Sequence, residues 1–165
     1  MEGTEKAKRQ EQKDIEVRFV ELEPMCVACS HVISDNPERD AWQKLYAWAE
    51  PKGLLEDTEK NPVFGFNNPS PTPGFKEYGY EFWIGVDSDA RAEGDIEIKK
   101  FPGGLYAAAS CNSLAAIGPT WIKLWNYVNS DKCKHKWRHT HELEKLLNPG
   151  ASEKEFVFDL YLPIE

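Results

Sequence analysis

The sequence predicts an α+β fold: two β-α-β-β repeats related by a pseudo-twofold axis, with a curved antiparallel sheet and two main helices flanking a central groove. Three observations carry this expectation. Four blocks of similar residues recur in the same order at a nearly constant spacing. Each copy holds one run of helical apolar period among runs of β-type alternation. Aromatic residues make up 12% of the 165, with six Trp, six Tyr and eight Phe, more than a core of this size ordinarily needs, which points to a lined cavity.

Residues 1 to 14 are charged or polar without an apolar period, and they predict a disordered or weakly ordered tail. Ile15 to Ser30 alternates apolar and polar residues as a strand does, kinked at Pro24, which has no N–H for a ladder. Asp35 or Asn36 is placed to cap a helix with Pro37 at its first position. Trp42, Leu45, Tyr46 and Ala49 follow at i, i+3, i+4 and i+7, a single apolar face, and Pro51 and Gly53 end the helix. Two short β-type runs, Val63 to Phe66 and Glu81 to Val86, flank a loop rich in Asn and Pro from Asn67 to Gly74.

The order then repeats. Ile96-Glu97-Ile98-Lys99 follows Ile15-Glu16-Val17-Arg18 at an offset of 81, and the strand runs to Cys111 with a break at Pro102-Gly103-Gly104. Pro119 opens a helix in which Trp121, Leu124, Trp125 and Val128 keep the spacing of the first, offset 79. Leu143 to Pro149 follows Val63 to Pro69 at 80, and Asp159 to Ile164 follows Glu81 to Val86 at 78. One domain is expected over 15–165, with repeats at about 15–87 and 95–165. Neither copy buries a sheet face alone, and pairing them leaves a groove where they meet.

The net charge of −8 argues against nucleic acid, whose phosphates such a surface repels, and it permits a cationic ligand. No run approaches the roughly 18 apolar residues that span a bilayer, and the first residues lack the apolar segment of a secretory signal. A cytoplasmic protein with its four cysteines reduced is therefore expected, away from membranes, with monomer and homodimer both compatible. Cys26 and Cys29 lie three apart on a strand and point to opposite faces, so they read as small buried apolar groups. Cys133, His135, His139 and His141 have a zinc-like spacing, but Lys132, Lys134, Lys136 and Arg138 among them oppose a dication. A basic surface loop is expected there, with no metal. No phosphate-binding Gly-rich loop or Ser/His/Asp arrangement occurs, and no cofactor is expected.

Glu142 and Glu144, two apart in a β-type run, project to one face. If that face lines the groove, a desolvated carboxylate there attracts a cation or activates water; the alternative is an edge strand facing solvent. Trp42, Tyr46, Trp121 and Trp125 supply either an aromatic wall, with cation–π attraction of roughly 0.5–2 kcal/mol per good contact, or ordinary core. Trp83 and Tyr161 occupy equivalent strand positions, each sharing a face with an acid, Glu81 or Asp159, as pocket wall or exposed strand face.

These stretches together resemble the GyrI-like small-molecule-binding superfamily, which includes gyrase-inhibitor proteins and the effector-binding domains of multidrug-responsive regulators. The matching residues are Trp42-x-x-Leu45-Tyr46, Phe64-Gly65, Tyr80-x-Phe82-x-Ile84-Gly85, Pro102-Gly103-Gly104-x-Tyr106, Trp121-x-x-Leu124-Trp125, Leu143-Glu144-x-x-Leu147 and Asp159-x-Tyr161-x-Pro163. The resemblance implies a pocket for small hydrophobic molecules, cationic or electrophilic, with a buried glutamate among aromatics. Glu144 inherits that role, and Tyr106 is the matched aromatic expected to reach a ligand by its hydroxyl. Leu143 and Leu146 stand where the family usually has Phe and Tyr. Two alternatives follow from the same resemblance: a hydrolase that opens cyclopropane-bearing toxins with Glu144 as general base, and an inhibitor that binds DNA gyrase.

Overall fold

The computed structural model of the protein describes residues 15–165, and the expected tail falls outside them. Eight strands form one antiparallel sheet: β1 (Arg18–Leu22), β2 (Met25–Ser34), β3 (Val63–Asn67), β4 (Tyr78–Val86), β5 (Glu97–Phe101), β6 (Gly104–Cys111), β7 (Leu143–Leu146) and β8 (Phe158–Pro163). Two helices, α1 (Pro37–Ala49) and α2 (Ile117–Val128), lie on one face of this curled sheet, α1 against β2 and β4, α2 against β6 and β8. The fold is the α+β arrangement that the repeats predict.

The strand order is β1-β6-β8-β7-β3-β4-β2-β5, a palindrome about the β7–β3 pair. Each predicted long first strand is in fact two. Pro24 breaks one into β1 and β2, and Pro102 with Gly103 breaks the other into β5 and β6. The halves exchange these first strands: β1 pairs with β6 and β5 with β2. Two ion pairs follow the exchange. Arg18 on β1 meets Asp159 on β8, and Lys99 on β5 meets Glu81 on β4 at 3.1 Å.

The ladders also correct the repeat alignment. β1 and β5 begin at 18 and 97, a step of 79, and β2 and β6 begin at 25 and 104, again 79. Phe64 stands opposite Trp83, and Leu143 opposite Tyr161, so β3 maps to β7 at 79 and β4 to β8 at 78. The sequence blocks placed the first match two residues away and the β3/β7 match one residue away. A slip of two preserves the face of every side chain and is invisible to alternation, whereas a slip of one reverses it. At the correct step Glu144 is the counterpart of Gly65, and these two are also direct ladder partners. The pseudo-twofold axis therefore passes through the Gly65–Glu144 pair.

Alternation divides the core into two clusters. On the helix side, Trp42, Leu45 and Ala49 of α1 and Leu124 and Val128 of α2 bury against the even-numbered positions of β4 and β8, among them Tyr80, Phe82, Phe158 and Leu160. Val27, Cys29, Phe64, Trp83, Tyr106 and Tyr161 are in the second cluster, on the opposite face. α1 begins at Pro37 as expected, and Ser34 Oγ accepts from Asn36 N–H while donating to Asp40. α2 begins two residues before Pro119, after a 3-10 turn at Leu114–Ala116 in which Ser113 Oγ accepts from Ala116 N–H. Pro119 still sits in the first turn, where its missing N–H costs nothing.

Candidate functional site

A cavity of about 800 Å³ opens between the helices, over the β7–β3 seam. Glu144 lies in its lining. Its Oε1 accepts from the Tyr80 hydroxyl at 2.8 Å and its Oε2 from Trp121 Nε1 at 3.3 Å. Burial raises the Glu144 carboxyl above its ordinary value against the lowering effect of these two donors, and the negative charges of Glu38 and Glu142 push the same way as burial. Burial and the adjacent Glu144 carboxylate likewise hold the Tyr80 hydroxyl well above its ordinary value, so Tyr80 remains a donor.

Rings build the walls. Trp42 is 5% exposed and makes an edge contact with Phe156 (centroids 5.6 Å apart) and a tilted one with Phe82 (5.2 Å). Phe156 and Phe158 meet edge-on, and Tyr80 lies 4.9 Å from Phe82. Trp42 and Trp121 are counterparts under the step of 79, so one tryptophan from each half lines the cavity. These edge and tilted contacts are the arrangements that the ring quadrupoles favour, and they hold the wall in place.

Of the residues singled out in the sequence, Glu142, Glu144, Trp42 and Trp121 come together here. Glu142, just before β7, stands on the exposed rim. Tyr46 and Trp125 do not reach the cavity lining. Tyr46 is 43% exposed on the outer side of α1, and Trp125 packs edge-on against Trp137. Trp83, Tyr106 and Tyr161 lie on the other face of the sheet. Trp83 Nε1 donates to Glu81 there, and the Arg138 guanidinium covers the Tyr106 ring at 5.2 Å. Tyr106 is fully enclosed, so its hydroxyl faces core rather than cavity. Alternation decides this, because odd positions of β4 and β8 and even positions of β6 point away from the helices.

Tyr80, Phe82, Phe156 and Phe158 are among the lining residues that the sequence did not single out as site residues. The signal was present: Tyr80 and Phe82 share the parity that faces the helices. The histidines disperse rather than converge. His135 packs on Phe19, His139 on Trp137, and His141 stacks on Phe66 with centroids 4.2 Å apart, placing His141 on the cavity lip. The four cysteines are free thiols. Cys29 donates to Glu81 at 3.0 Å, and burial together with that carboxylate pushes the thiol up to about 12, so it is inert at neutral pH.

An eight-stranded antiparallel sheet duplicated about a central seam, with two helices enclosing an aromatic cavity, defines a small-molecule effector-binding domain. The family model for Cass2, integron-associated effector binding protein, matches residues 18–164, and the chain belongs to that family. Solved structures of low identity share the fold. The integron cassette protein VCH_CASS2 from the mobile metagenome of Vibrio cholerae is 17% identical, with 92% of this chain and 97% of that one covered and a TM-score of 0.56. SAV2435 bound to tetraphenylphosphonium is 10% identical, over 91% and 94%, with a TM-score of 0.53. EcmrR in its complex with DNA is 13% identical over 98% of this chain, with a TM-score of 0.69, and the present chain spans 63% of its length. Among curated proteins none matches this sequence. No helix of the described residues is long and apolar enough to cross a membrane.

Proposed function

We propose that this chain binds a small hydrophobic cation in the seam cavity, with Glu144 as the electrostatic anchor, and that it acts by sequestering or sensing that compound. The observation that carries the reading is a carboxylate on the pseudo-twofold axis, desolvated among rings, held by two donors and part of the cavity lining. A cation there replaces the water that Glu144 lost on folding, and ring faces add their own attraction. The structural similarity to SAV2435, which was solved with a lipophilic phosphonium, supports the same class of ligand. Calorimetric titration with tetraphenylphosphonium tests it: Glu144→Gln is expected to weaken binding at least tenfold, and equal affinity in the variant removes Glu144 as the anchor.

A second reading, hydrolysis of a strained electrophile, is favoured by Tyr80. The sequence lacks the family's usual Tyr at Leu146, yet Tyr80 brings a hydroxyl onto Glu144 from β4. In this reading Glu144 takes a proton from water as the water oxygen bonds to a cyclopropane carbon. The strained C–C bond breaks, its electron pair moves onto the conjugated carbon framework, and a proton from Tyr80 or protonated Glu144 completes the product. Mass spectrometry of a cyclopropane-bearing alkylator incubated with the protein checks this. Formation of the water adduct at no more than the buffer rate rejects it.

A further inference from the structure

We propose that the cavity takes an amphiphilic monocation in one orientation, its hydrogen-bonding end beside the first turn of α1 and its apolar end beside the first turn of α2. This rests on the cation reading above. The step of 79 that carries α1 onto α2 places Ile117 and Gly118 at the positions of Glu38 and Arg39. All four line the cavity. The axis passes between the two helices, so these turns stand on opposite sides of Glu144.

The same polarity recurs in the strands. At the β4/β8 step of 78, Tyr78 corresponds to Phe156 and Tyr80 to Phe158, so two hydroxyls of the first half face two plain rings of the second. Tyr78 donates to Glu38 at 2.6 Å, which fixes the Glu38 carboxylate at the α1 end. Asn36, Asn67 and Ser70 add amide and hydroxyl groups to the lining from the first half, while Leu114, 45% exposed, adds an apolar side chain beside Ile117. Glu153, also in the lining, sits on an exposed 3-10 turn where water screens its charge. The second half adds Thr140, His141 and Glu142 to the lining, but they precede β7, whose start runs antiparallel beside the end of β3, so they stand at the same end as Asn67. At the axis Glu144 stands opposite Gly65, and there the duplicated fold holds one acid where it has two positions.

The chemistry of the ligand follows from this asymmetry. Of the four carboxylates in the lining, Glu142 and Glu153 are exposed and Glu38 is bonded by Tyr78 at the α1 end, whereas Glu144 alone stands on the axis among the rings, which matches one positive charge. A molecule with the reverse orientation would leave its polar groups unpaired against Ile117 and Phe158, each such group costing about tenfold in affinity. A symmetric lipophilic cation gains nothing from the α1 end, whereas a flat aromatic system joined to a hydroxylated amine gains from both ends.

The test uses two probes, tetraphenylphosphonium and doxorubicin, the latter a flat aromatic system carrying a hydroxylated amino sugar, titrated calorimetrically into the full chain. Asn67→Ala and Arg39→Ala, both at exposed positions, are expected to lower the ratio of doxorubicin to tetraphenylphosphonium affinity about three- to tenfold. Ile117→Asn is expected to weaken both probes. An unchanged ratio in both α1-end variants overturns the orientation while leaving the cation reading intact, as does failure of doxorubicin to bind a protein that binds tetraphenylphosphonium. Equal binding of both probes by Glu144→Gln, or binding of neither probe by the unaltered chain, overturns the cation reading itself.

Discussion

The Tyr80 ring lies against the backbone of Gly65, and the absence of a side chain there is what lets its hydroxyl reach Glu144. A Cβ at position 65 would stand 2.6 Å from Tyr80 Cε1 and 2.7 Å from Cζ, far inside van der Waals contact. Gly65 is also the ladder partner of Glu144. The half of the duplication that lacks the acid thus supplies the space through which the acid is held.

Gly65→Ala is expected to push Tyr80 off Glu144. The strain should lower stability by about 1–3 kcal/mol, as overpacking of a filled core does. Chemical denaturation reads that loss, and tetraphenylphosphonium affinity should fall with it. Stability within 0.5 kcal/mol of the parent, on the order of a neutral surface change, would contradict the close packing.

Glu144 sets a pH dependence whose sign differs for binding and for stability. Its folded value is raised, so the charged form disfavours the fold. Its own contribution to stability is greatest below the ordinary carboxylate range and declines as pH rises through the raised value, and Glu144→Gln should remove that decline. Cation affinity runs the other way, present above the raised value and lost as pH falls through it. Tyr80→Phe removes one of the two donors that lower the Glu144 carboxyl, so the loss of binding should move to higher pH. Titrations between pH 4 and 8 measure both midpoints.

On the opposite face of the sheet, Glu81 shows the opposite sign. Burial alone would raise its carboxyl, but hydrogen bonds from Cys29, Asn68 and Lys99, with the Lys99 charge, bring it from 4.5 down to about 2. Its contribution to stability is therefore full above pH 4.5 and lost between pH 4.5 and 2. Glu81→Gln is expected to cost roughly 3 kcal/mol at pH 7, with the difference from the parent shrinking toward pH 2. Urea midpoints at pH 7, 4 and 3 provide the comparison.

The aromatics should separate into two behaviours. Trp42→Ala empties a buried site bounded by Phe82 and Phe156, and about 3–5 kcal/mol of stability and most tetraphenylphosphonium affinity are expected to go with it. Trp125→Ala, outside the cavity but edge-on to Trp137, should cost about 1–3 kcal/mol and leave binding at the parental value. Thermal denaturation with and without the phosphonium distinguishes them.

The strand exchange makes each half incomplete. A fragment of residues 15–87 lacks β6, the partner of β1, and β5, the outer partner of β2, so it exposes unpaired edges and the whole seam. Circular dichroism is expected to show the fragment unfolded alone and folded on mixing with 95–165. Independent folding of 15–87 would mean that the exchange contributes little.

The duplication, the two helices and the acid were legible in the sequence because they rest on local rules. Trp42, Leu45 and Ala49 bury where helical spacing places them, Pro37 starts α1, and Glu144 belongs to a β-type run that the resemblance already marked. Which aromatics share its cavity depended on strand parity across both halves. A match of residue types at an offset of 80 hid that parity, and the ladder reset it to 79. The exchange of β1 and β5 had no sequence signal beyond Pro24 and Pro102, because a break in a strand does not specify its new neighbour. Local chemistry fixes which segments are helix or strand and which face of each is apolar. Only the long-range pairing of β3 with β7 decided that one carboxylate would stand on the axis, with a glycine as its counterpart, and that Trp83, Tyr106 and Tyr161 would face away from it.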